Sequence, residues 1–371
     1  MKANVSIMRC NSYSMDILIP VIENVISTSD FPEVNGRTVF VKPNILSDSK
    51  PESCITTNPE FLRAFIRILK KRGAASVLVG DSPGLPAPSF AAMGCGIGQV
   101  CKEEGAKWID IGSDNIIVAI PFTKQRLPVA AAVSTSDLVI SLPKFKTHQL
   151  MYFTGGVKNL FGVIPGLHKS PCHLAFPTRE AFAKFICGLY SYVKPDYCLM
   201  DGIIGMEGPG PANGTPRAVG LVLGSSDCGA LDYSEATIMG YKPNSTPLIR
   251  ALKAKGLFPE GISYPLLSAR ELVISDFKRI SITEKTKFVR TLIIPFFTRG
   301  IQKRRQMKEP APEFLTDVCI RCRRCIEICP GNALEMKNGK VERSLSRCIR
   351  CYCCHEVCPA DAIVIPKITK R

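Results

Sequence analysis

Short apolar runs separated by amphipathic stretches occupy the first two thirds of the chain. The runs are rich in Val, Ile, Leu and Phe, a composition typical of buried strands. They cover residues 38–41, 76–80, 137–141, 196–200 and 219–223. Between the first two runs, apolar residues recur at helical spacing from Phe61 to Leu69, and further helices are predicted near residues 179–193 and 227–239. Strands that alternate with helices predict an α/β fold with a mostly parallel sheet flanked by helices.

The ends of the first predicted helix are marked by residues that favour such ends. Asn58 is a suitable N-cap because its side-chain oxygen can accept a hydrogen bond from a first-turn amide, and Pro59 suits the first helical position. Gly73 follows the last periodic positions and favours termination there.

The last sixty or so residues follow a different pattern, an internal repeat of cysteines. The spacing C-x2-C-x2-C-x3-C-P begins at Cys319 and begins again at Cys348. Between the copies, Asn338 and Gly339 predict a tight hairpin turn, and residues 362–365 predict a final short strand. This part of the chain is predicted to be a small α+β ferredoxin-like domain.

The cysteine spacing predicts two [4Fe–4S] clusters. Three thiolates two residues apart wrap a loop around one cluster, and the fourth, followed by proline, ligates the other cluster. The expected ligands are Cys319, Cys322, Cys325 and Cys358 for the first cluster, and Cys348, Cys351, Cys354 and Cys329 for the second. Zinc is disfavoured because its sites use C-x2-C pairs separated by longer loops. Cys353 belongs to neither set and is expected to pack as a small apolar side chain.

The remaining cysteines favour a reducing compartment. The chain has 17 cysteines, of which the eight before Cys319 are scattered, and Cys95, Cys101 and Cys172 among them are expected to be buried thiols. No apolar signal region is visible at the N-terminus, and no apolar run approaches the roughly 20 residues that span a bilayer. A cytoplasmic protein is therefore predicted.

A charge equal to half of the formal net charge of +16 lies in one segment. Residues 285–308 carry eight basic side chains and no acidic one, around an apolar patch at 292–297. Two interpretations stay open, packing on a neighbouring domain and peripheral contact with an anionic membrane. Nucleic acid is disfavoured because stacking aromatics are not interleaved with the charges. We predict an α/β domain at 1–275, a basic linker at 276–312 and the ferredoxin-like domain at 313–371.

Polar, glycine-rich segments mark a candidate ligand crevice in the α/β domain. Most of them follow predicted strands, and open α/β sheets bind ligands beyond the carboxyl ends of strands. The segments cover residues 41–44, 80–84, 142–148, 155–162 and 201–211. Candidate binding residues for an anionic small molecule are Lys42, Asn44, Asp81, Lys144, Lys146, Lys158 and Asn159. Candidate catalytic residues are His148, Asp201 and Glu207. The alternative for each is structural, as a solvated lysine, a hydrogen-bonded histidine or a turn-capping carboxylate.

The same motifs resemble the family called domain of unknown function 362, over about residues 5–240. They are Lys42-Pro43-Asn44, Lys144-x-Lys146-Thr147-His148, Gly156-Val157-Lys158-Asn159 and the glycine-rich run from Asp201 to Pro211. One departure is Cys228-Gly229, where the family pattern leads us to expect Pro-Val. The resemblance implies an iron–sulfur protein of anaerobic or archaeal-type metabolism, fused to a two-cluster ferredoxin module, and it implies no particular reaction.

Two functions compete at this point. In the first, the protein is an oxidoreductase whose clusters exchange electrons with an anionic substrate or partner held at the α/β domain. In the second, it is a ferredoxin-type carrier whose α/β domain only docks redox partner proteins. A ligand bound among Lys42, Lys144, Lys158 and Glu207 would favour the first.

Overall fold

The computed structural model of the protein describes residues 2–280 and 309–366. The basic segment 285–308, with its two open interpretations, lies outside the described residues, as do residues 367–371. The strands, numbered β1 to β17, are Lys2–Asn4, Ser6–Arg9, Thr38–Pro43, Ser76–Val79, Lys107–Trp108, Asn115–Ala119, Arg126–Ala130, Leu138–Leu142, Lys144–His148, Tyr152–Phe153, Tyr197–Glu207, Thr215–Ser225, Gly261–Ser263, Glu313–Phe314, Leu334–Lys337, Lys340–Arg343 and Ile363–Val364. The helices of the described residues, numbered α1 to α12, are Met15–Ser27, Pro59–Lys71, Pro88–Gly94, Ile97–Glu103, Ala132–Thr135, Gly155–Asn159, Gly166–Ala175, Arg179–Val193, Cys228–Ile238, Pro247–Ala254, Arg324–Glu327 and Cys353–Glu356. Short 3₁₀ helices cover Pro51–Ser53, Leu160–Val163 and Pro243–Ser245.

A nine-stranded sheet forms the centre of the α/β domain. Strand β3 pairs in parallel with β4 on one side and with β8 on the other, and β4 pairs in parallel with β5. Strands β8 and β9, separated by Pro143, both pair in parallel with β11. Antiparallel pairing adds β12, β2 and β10. The predicted α/β class with a mostly parallel sheet is confirmed, and the strand order reverses at β3.

Helix α2 confirms the predicted end signals. The Asn58 side chain accepts a hydrogen bond from the Glu60 amide at 2.9 Å, and Pro59 occupies the first helical position. Gly73 adopts a left-handed conformation, with φ of +84°, just after the helix ends. Helix α8 coincides with the predicted stretch 179–193.

Two polar segments that were expected to follow strands are partly extended strand themselves. Lys144–His148 forms β9, which is buried throughout, and Asp201 lies in the middle of β11, where a strand end was expected. The two strands pair with Lys144 directly opposite Asp201. These opposite charges neutralise each other inside the sheet, so polar residues are accommodated in extended, buried backbone.

The sheet separates two hydrophobic cores. Val39 and Val41 face one core and Phe40 the other, as alternation along a strand requires. The core that contains Phe40 also contains Tyr352 from the ferredoxin-like module. One face of the sheet therefore packs, in part, against that module.

The module itself has a small core and two short sheets. Leu334, Val341 and Ile363 pack with Cys325 and Cys354 in its centre. Strands β15 and β16 form the predicted hairpin, and β14 pairs with β17. The turn residues Asn338 and Gly339 have φ of +49° and +73°, which a tight turn of this kind requires.

The residues next to 280 and the residue Glu309 contact the α/β domain. Phe277 and Ile280 are buried in its core, and Asp276 pairs with Arg217 at 2.7 Å. On the far side, Glu309 lies 3.2 Å from Arg179. The predicted boundaries at 275/276 and 312/313 stay predictions.

Candidate functional site

Four cysteines surround one cavity in the module. The cavity, of about 20 Å³, is lined by Cys319, Cys322, Cys325 and Cys358. Burial raises the pKa of Cys325 to about 11, and the neighbouring Cys358, Cys322 and Cys319 add to this because crowded thiolates repel one another. Four convergent thiols are the donor set of a [4Fe–4S] cluster. These residues therefore fit the first predicted ligand set.

The second set converges in the same way. The pKa of Cys354 is raised, mainly by burial and further by the nearby thiols of Cys351, Cys348 and Cys329. Cys329 reaches this group from the first repeat, as the predicted crossing requires. Within residues 2–280 and 309–366, no three His, Cys, Asp or Glu side chains are arranged to hold a single metal ion. The arrangement thus suits a cubane, whose ligands stand further apart than those of one zinc ion.

The two copies of the cysteine motif have different surroundings. We call residues 319–330 the outer repeat and residues 348–359 the inner repeat. Arg323 of the outer repeat is exposed, whereas Tyr352 at the equivalent inner position is 1% exposed and lies in the α/β core. Both residues adopt left-handed backbone, with φ of +66° and +67°, so the loops share one shape. The copies are alike in backbone and differ in what they face.

Hydrogen bonds join the inner repeat and its neighbours to the α/β domain. His355 Nε2 lies 3.0 Å from the Pro209 carbonyl oxygen, and Nδ1 lies 2.7 Å from that of Ile363. The Ser170 hydroxyl donates to the carbonyl oxygen of Ile328, which precedes the ligand Cys329. These contacts hold the second cysteine set against the carboxyl end of the sheet.

A crevice of about 90 Å³ lies at this junction, and we call it the seam crevice. It is located at the ends of β3 and β4, next to the point where the strand order reverses. Its α/β wall includes Lys42, Asn44, Asp81, Thr154, Lys158, Asn159, Lys169, Ser170 and His173. Its other wall consists of Ile328, Cys353, Glu356 and Val357 of the module. The crevice thus adjoins the second cysteine set and not the first.

A hydrogen-bonded network around Lys42 forms the floor of the seam crevice. Lys42 Nζ lies 2.8 Å from Asp81 Oδ1 and donates hydrogen bonds to Asn159 Oδ1 and the Pro43 carbonyl oxygen. Burial lowers the pKa of Lys42, and Asp81 opposes that shift. Asn159 also accepts from Asn44 Nδ2 at 3.2 Å. Because its cation has a carboxylate partner, this network adds little net charge.

Two other lysines of the seam crevice have no such partner. Among the described residues, neither Lys158 nor Lys169 forms an ion pair or a side-chain hydrogen bond, and Lys169 lies over the Phe161 ring at 5.7 Å. Burial lowers the pKa of each lysine to about 8. The nearby carboxylates Asp81 and Glu356 oppose this shift without contacting either lysine directly. Two cations without a direct ion pair in a concave, partly buried site favour the binding of an anion.

Two histidines near the seam crevice are neutral at physiological pH. Burial and nearby lysines lower the pKa of His173 to about 3 and that of His148 well below 6.5. His148 Nδ1 accepts from the Leu150 and Met151 amides, which places the proton on Nε2, 3.3 Å from Glu356 Oε1. His148 therefore does not line the crevice, but it contacts Glu356, which does.

The structure brings together some predicted site residues and separates others. Lys42, Asn44, Asp81, Lys158 and Asn159 line the seam crevice. The others are buried elsewhere, each with its own partner.

Lys144 pairs with Asp201 at 2.7 Å, and Tyr13 donates a hydrogen bond to the same carboxylate. Lys146 Nζ donates to the Ile55 carbonyl oxygen at 2.5 Å, and burial lowers its pKa to about 7.

Glu207 accepts from the Lys278 amide at 3.0 Å and lies near the Arg217 guanidinium. These contacts give Glu207 a structural role, which is sufficient to account for its burial.

Lys169, His173 and Glu356 line the seam crevice although sequence reasoning did not single them out for it. Lys169 and His173 lie on α7, which carries no glycine-rich motif beyond its first residue. Glu356 could not be singled out from the sequence because the outer repeat has a glutamate, Glu327, at the equivalent position. Only the contact between the domains distinguishes the two glutamates. Cys353, expected to pack as a small apolar side chain, is buried and lines the same crevice.

Comparisons with known proteins place both parts of the chain. A family model described as "Domain of unknown function (DUF362)" matches residues 39–237, and one described as "4Fe-4S dicluster domain" matches residues 311–359. The thylakoid-associated protein sll1697 of Synechocystis sp. is 30% identical over 286 residues, which are 75% of this chain and 88% of that protein. The lactate racemase apoprotein from Thermoanaerobacterium thermosaccharolyticum aligns with a TM-score of 0.41 and 14% identity, over 62% of this chain and 55% of that one.

In residues 2–280 and 309–366, no helix has the length and apolar character needed to cross a bilayer.

Proposed function

The chain belongs to the DUF362 family and is an iron–sulfur electron-transfer protein with a dicluster domain, and on this premise we propose that it is an oxidoreductase acting on a small anion bound in the seam crevice. We further propose that it carries two [4Fe–4S] clusters held by the two cysteine sets described above. When bound, the clusters supply single electrons at low potential.

One observation carries the proposal. Among the described residues Lys158 and Lys169 form no direct ion pair, although Glu356 across the cavity favours their charged form. The opposite wall includes Ile328 and Cys353, the chain neighbours of Cys329 and Cys354 of the second cysteine set. A carrier that only docked proteins would have no need for two half-buried cations without a direct ion pair at this place, since each costs desolvation energy that a bound anion would offset. The crevice therefore supports a small-molecule site in preference to docking alone.

The residues of the crevice divide the work between binding and shaping. Lys158 and Lys169 bind and orient the anion by charge-assisted hydrogen bonds. The Lys42–Asp81–Asn159 network holds the ends of β3 and β4 in place and pairs its own cation, so that Lys158, Lys169 and Glu356 set the charge of the crevice. Phe161 and the neutral His173 exclude water from the lysine side of the site. Val357 and Ile328 supply apolar surface beside the second cysteine set.

We expect the double substitution Lys158→Met and Lys169→Met to abolish anion binding. Each lost charge-assisted hydrogen bond is worth about 1.5–3 kcal/mol, so the affinity should fall roughly tenfold or more for each lysine. The measurement is calorimetric titration of the cluster-loaded protein with sulfate, phosphate and acetate. The electron paramagnetic resonance spectrum of the reduced protein, with and without anion, reports whether the bound anion reaches a cluster.

A matched control removes two positive charges elsewhere. Lys102 and Lys184 are exposed lysines of α4 and α8, and their replacement by methionine should leave anion affinity and the spectral change intact. Equal affinity in the crevice variant and the control, or no binding of any of the three anions to the unsubstituted protein, would refute a crevice substrate.

The affinity for sulfate should decrease as the pH rises. Burial lowers the pKa of Lys158 and Lys169 to about 8, so both are charged below that pH and become neutral above it. Between pH 7 and pH 9 the affinity is expected to fall about tenfold for each titrating lysine. Sulfate is the suitable probe because it does not titrate in this range, and a flat profile in calorimetry would exclude these lysines as the binding charges.

A further inference from the structure

The outer repeat presents an exposed apolar surface around its cysteines. Ile320 is 64% exposed, Val318 46% and Leu315 41%, and the ligand Cys322 is itself exposed. Three large apolar side chains exposed within six residues are unusual on a soluble surface and mark an interaction site. We call the surface formed by Leu315, Val318, Ile320, Arg321 and Arg323 the outer face; the exposed Asp317 lies in the same segment, so residues 315–323 carry two basic side chains and one acidic one.

In the inner repeat, the surface equivalent to the outer face is covered by the rest of the chain. Its Tyr352, equivalent to Arg323, is buried in the α/β core, and its OH donates to the Pro310 carbonyl oxygen. His355 contacts the α/β domain at Pro209. The same loop shape is therefore closed by this chain's own α/β domain on one side, whereas the described residues leave it open on the other.

The charge of the outer face indicates its partner. Arg321 and Arg323 are the charged residues that line the first cysteine cavity, and both side chains are exposed. Arginine around an apolar centre is a composition typical of protein interfaces, and its charge steers an acidic partner toward it. A second copy of this chain is disfavoured because a symmetric contact would bring the arginines against each other.

We propose that the outer face docks an acidic protein that carries one electron at a time and exchanges it with the first cluster. The step is a single electron transfer, in which the carrier is oxidised by one electron as the first cluster is reduced by one, or the reverse, and no bond or proton moves. The inference goes beyond the crevice function, because it would hold whatever anion the seam crevice binds.

The test uses full-length, cluster-loaded protein and an acidic plant-type [2Fe–2S] ferredoxin as the probe. Arg321→Asn and Arg323→Asn remove both charges and keep a residue that tolerates left-handed backbone. We expect the dissociation constant, measured by calorimetry at low ionic strength, to rise at least tenfold in the double variant and to lose most of its salt dependence. Ile320→Ser should weaken binding without changing the salt dependence.

Controls separate docking from effects on the clusters. The pair Lys102→Met and Lys184→Met removes the same charge and should bind the probe normally. Iron content and midpoint potentials are measured for every variant, because the arginines also lie close to a cluster. Unchanged probe affinity in both outer-face variants, an equal loss in the control pair, or no binding to the unsubstituted protein would overturn the proposal. Sulfate binding in the same variants reports separately on the seam crevice, so either hypothesis can fail while the other stands.

Discussion

Replacing Cys329 and Cys354 together with alanine is expected to lower the iron content from about eight to about four atoms per chain. Cys329 belongs to the outer repeat by sequence, yet it lies with Cys348, Cys351 and Cys354. Two thiolates cannot hold a cubane that needs four, while Cys319, Cys322, Cys325 and Cys358 are untouched. The measurement is iron and acid-labile sulfide per chain in anaerobically purified protein.

Cys353 provides the matched control, since it is the ninth cysteine of the module and belongs to neither set. Cys353→Ala should retain about eight irons. Loss of all iron from the Cys329/Cys354 variant would show that the two sites load together, and loss of iron from Cys353→Ala would mean that the ligand sets are wrongly assigned. The same double variant should keep sulfate affinity, because both crevice lysines remain.

Replacing Lys42 with methionine is expected to destabilise the α/β domain by about 3–5 kcal/mol. Lys42 is completely buried and makes an ion pair with Asp81 and hydrogen bonds to Asn159 and to the Pro43 carbonyl oxygen. Its removal leaves the Asp81 carboxylate buried without a cation, and that uncompensated charge is the source of most of the loss. The loss of stability is measured by urea unfolding, followed by the fluorescence of Trp108. This residue is the one tryptophan of the chain and lies in β5 of the sheet.

A double variant separates the charge effect from packing. The Ile45 and Ser82 amides donate to different oxygens of Asp81, and Asp81→Asn keeps one of these two acceptors while it removes the buried charge. Lys42→Met with Asp81→Asn should therefore recover part of the lost stability. The exposed Lys102→Met should change the free energy of unfolding by about 0.5 kcal/mol or less. Suppose that adding Asp81→Asn to Lys42→Met lowers the free energy of unfolding by as much as Asp81→Asn lowers it in the unsubstituted protein. The two side chains would then be energetically independent, and the ion-pair explanation would be wrong.

Local signals were sufficient to predict several of the elements. The Asn58–Pro59 pair, the apolar run at 38–41 and the Asn338–Gly339 turn each act over a few residues, and each is confirmed. The family and the dicluster module were likewise identifiable from motifs.

Tertiary contacts explain what local signals missed. Lys144 was expected at a ligand site because a polar run after a strand usually marks a loop. It lies instead in a buried strand because Asp201, 57 residues later, neutralises it. Glu356 and Lys169 meet at the seam crevice only after the module has docked, and no spacing within either segment encodes that contact. The grouping of Lys42, Asn44 and Asp81 was predictable because the ends of adjacent parallel strands meet at one edge.

The unequal surroundings of the duplicated cysteine motif give the module a polarity that its pseudo-symmetric backbone lacks. One half is fixed to the body of the protein through Tyr352 and His355, so its side chains are constrained by the sheet beneath them. The half around Arg323 is free of that constraint. The module therefore has one end that is fixed by this chain. If the outer face docks a carrier as proposed, changing a few exposed side chains at the other end would change which carrier binds and leave the seam crevice intact.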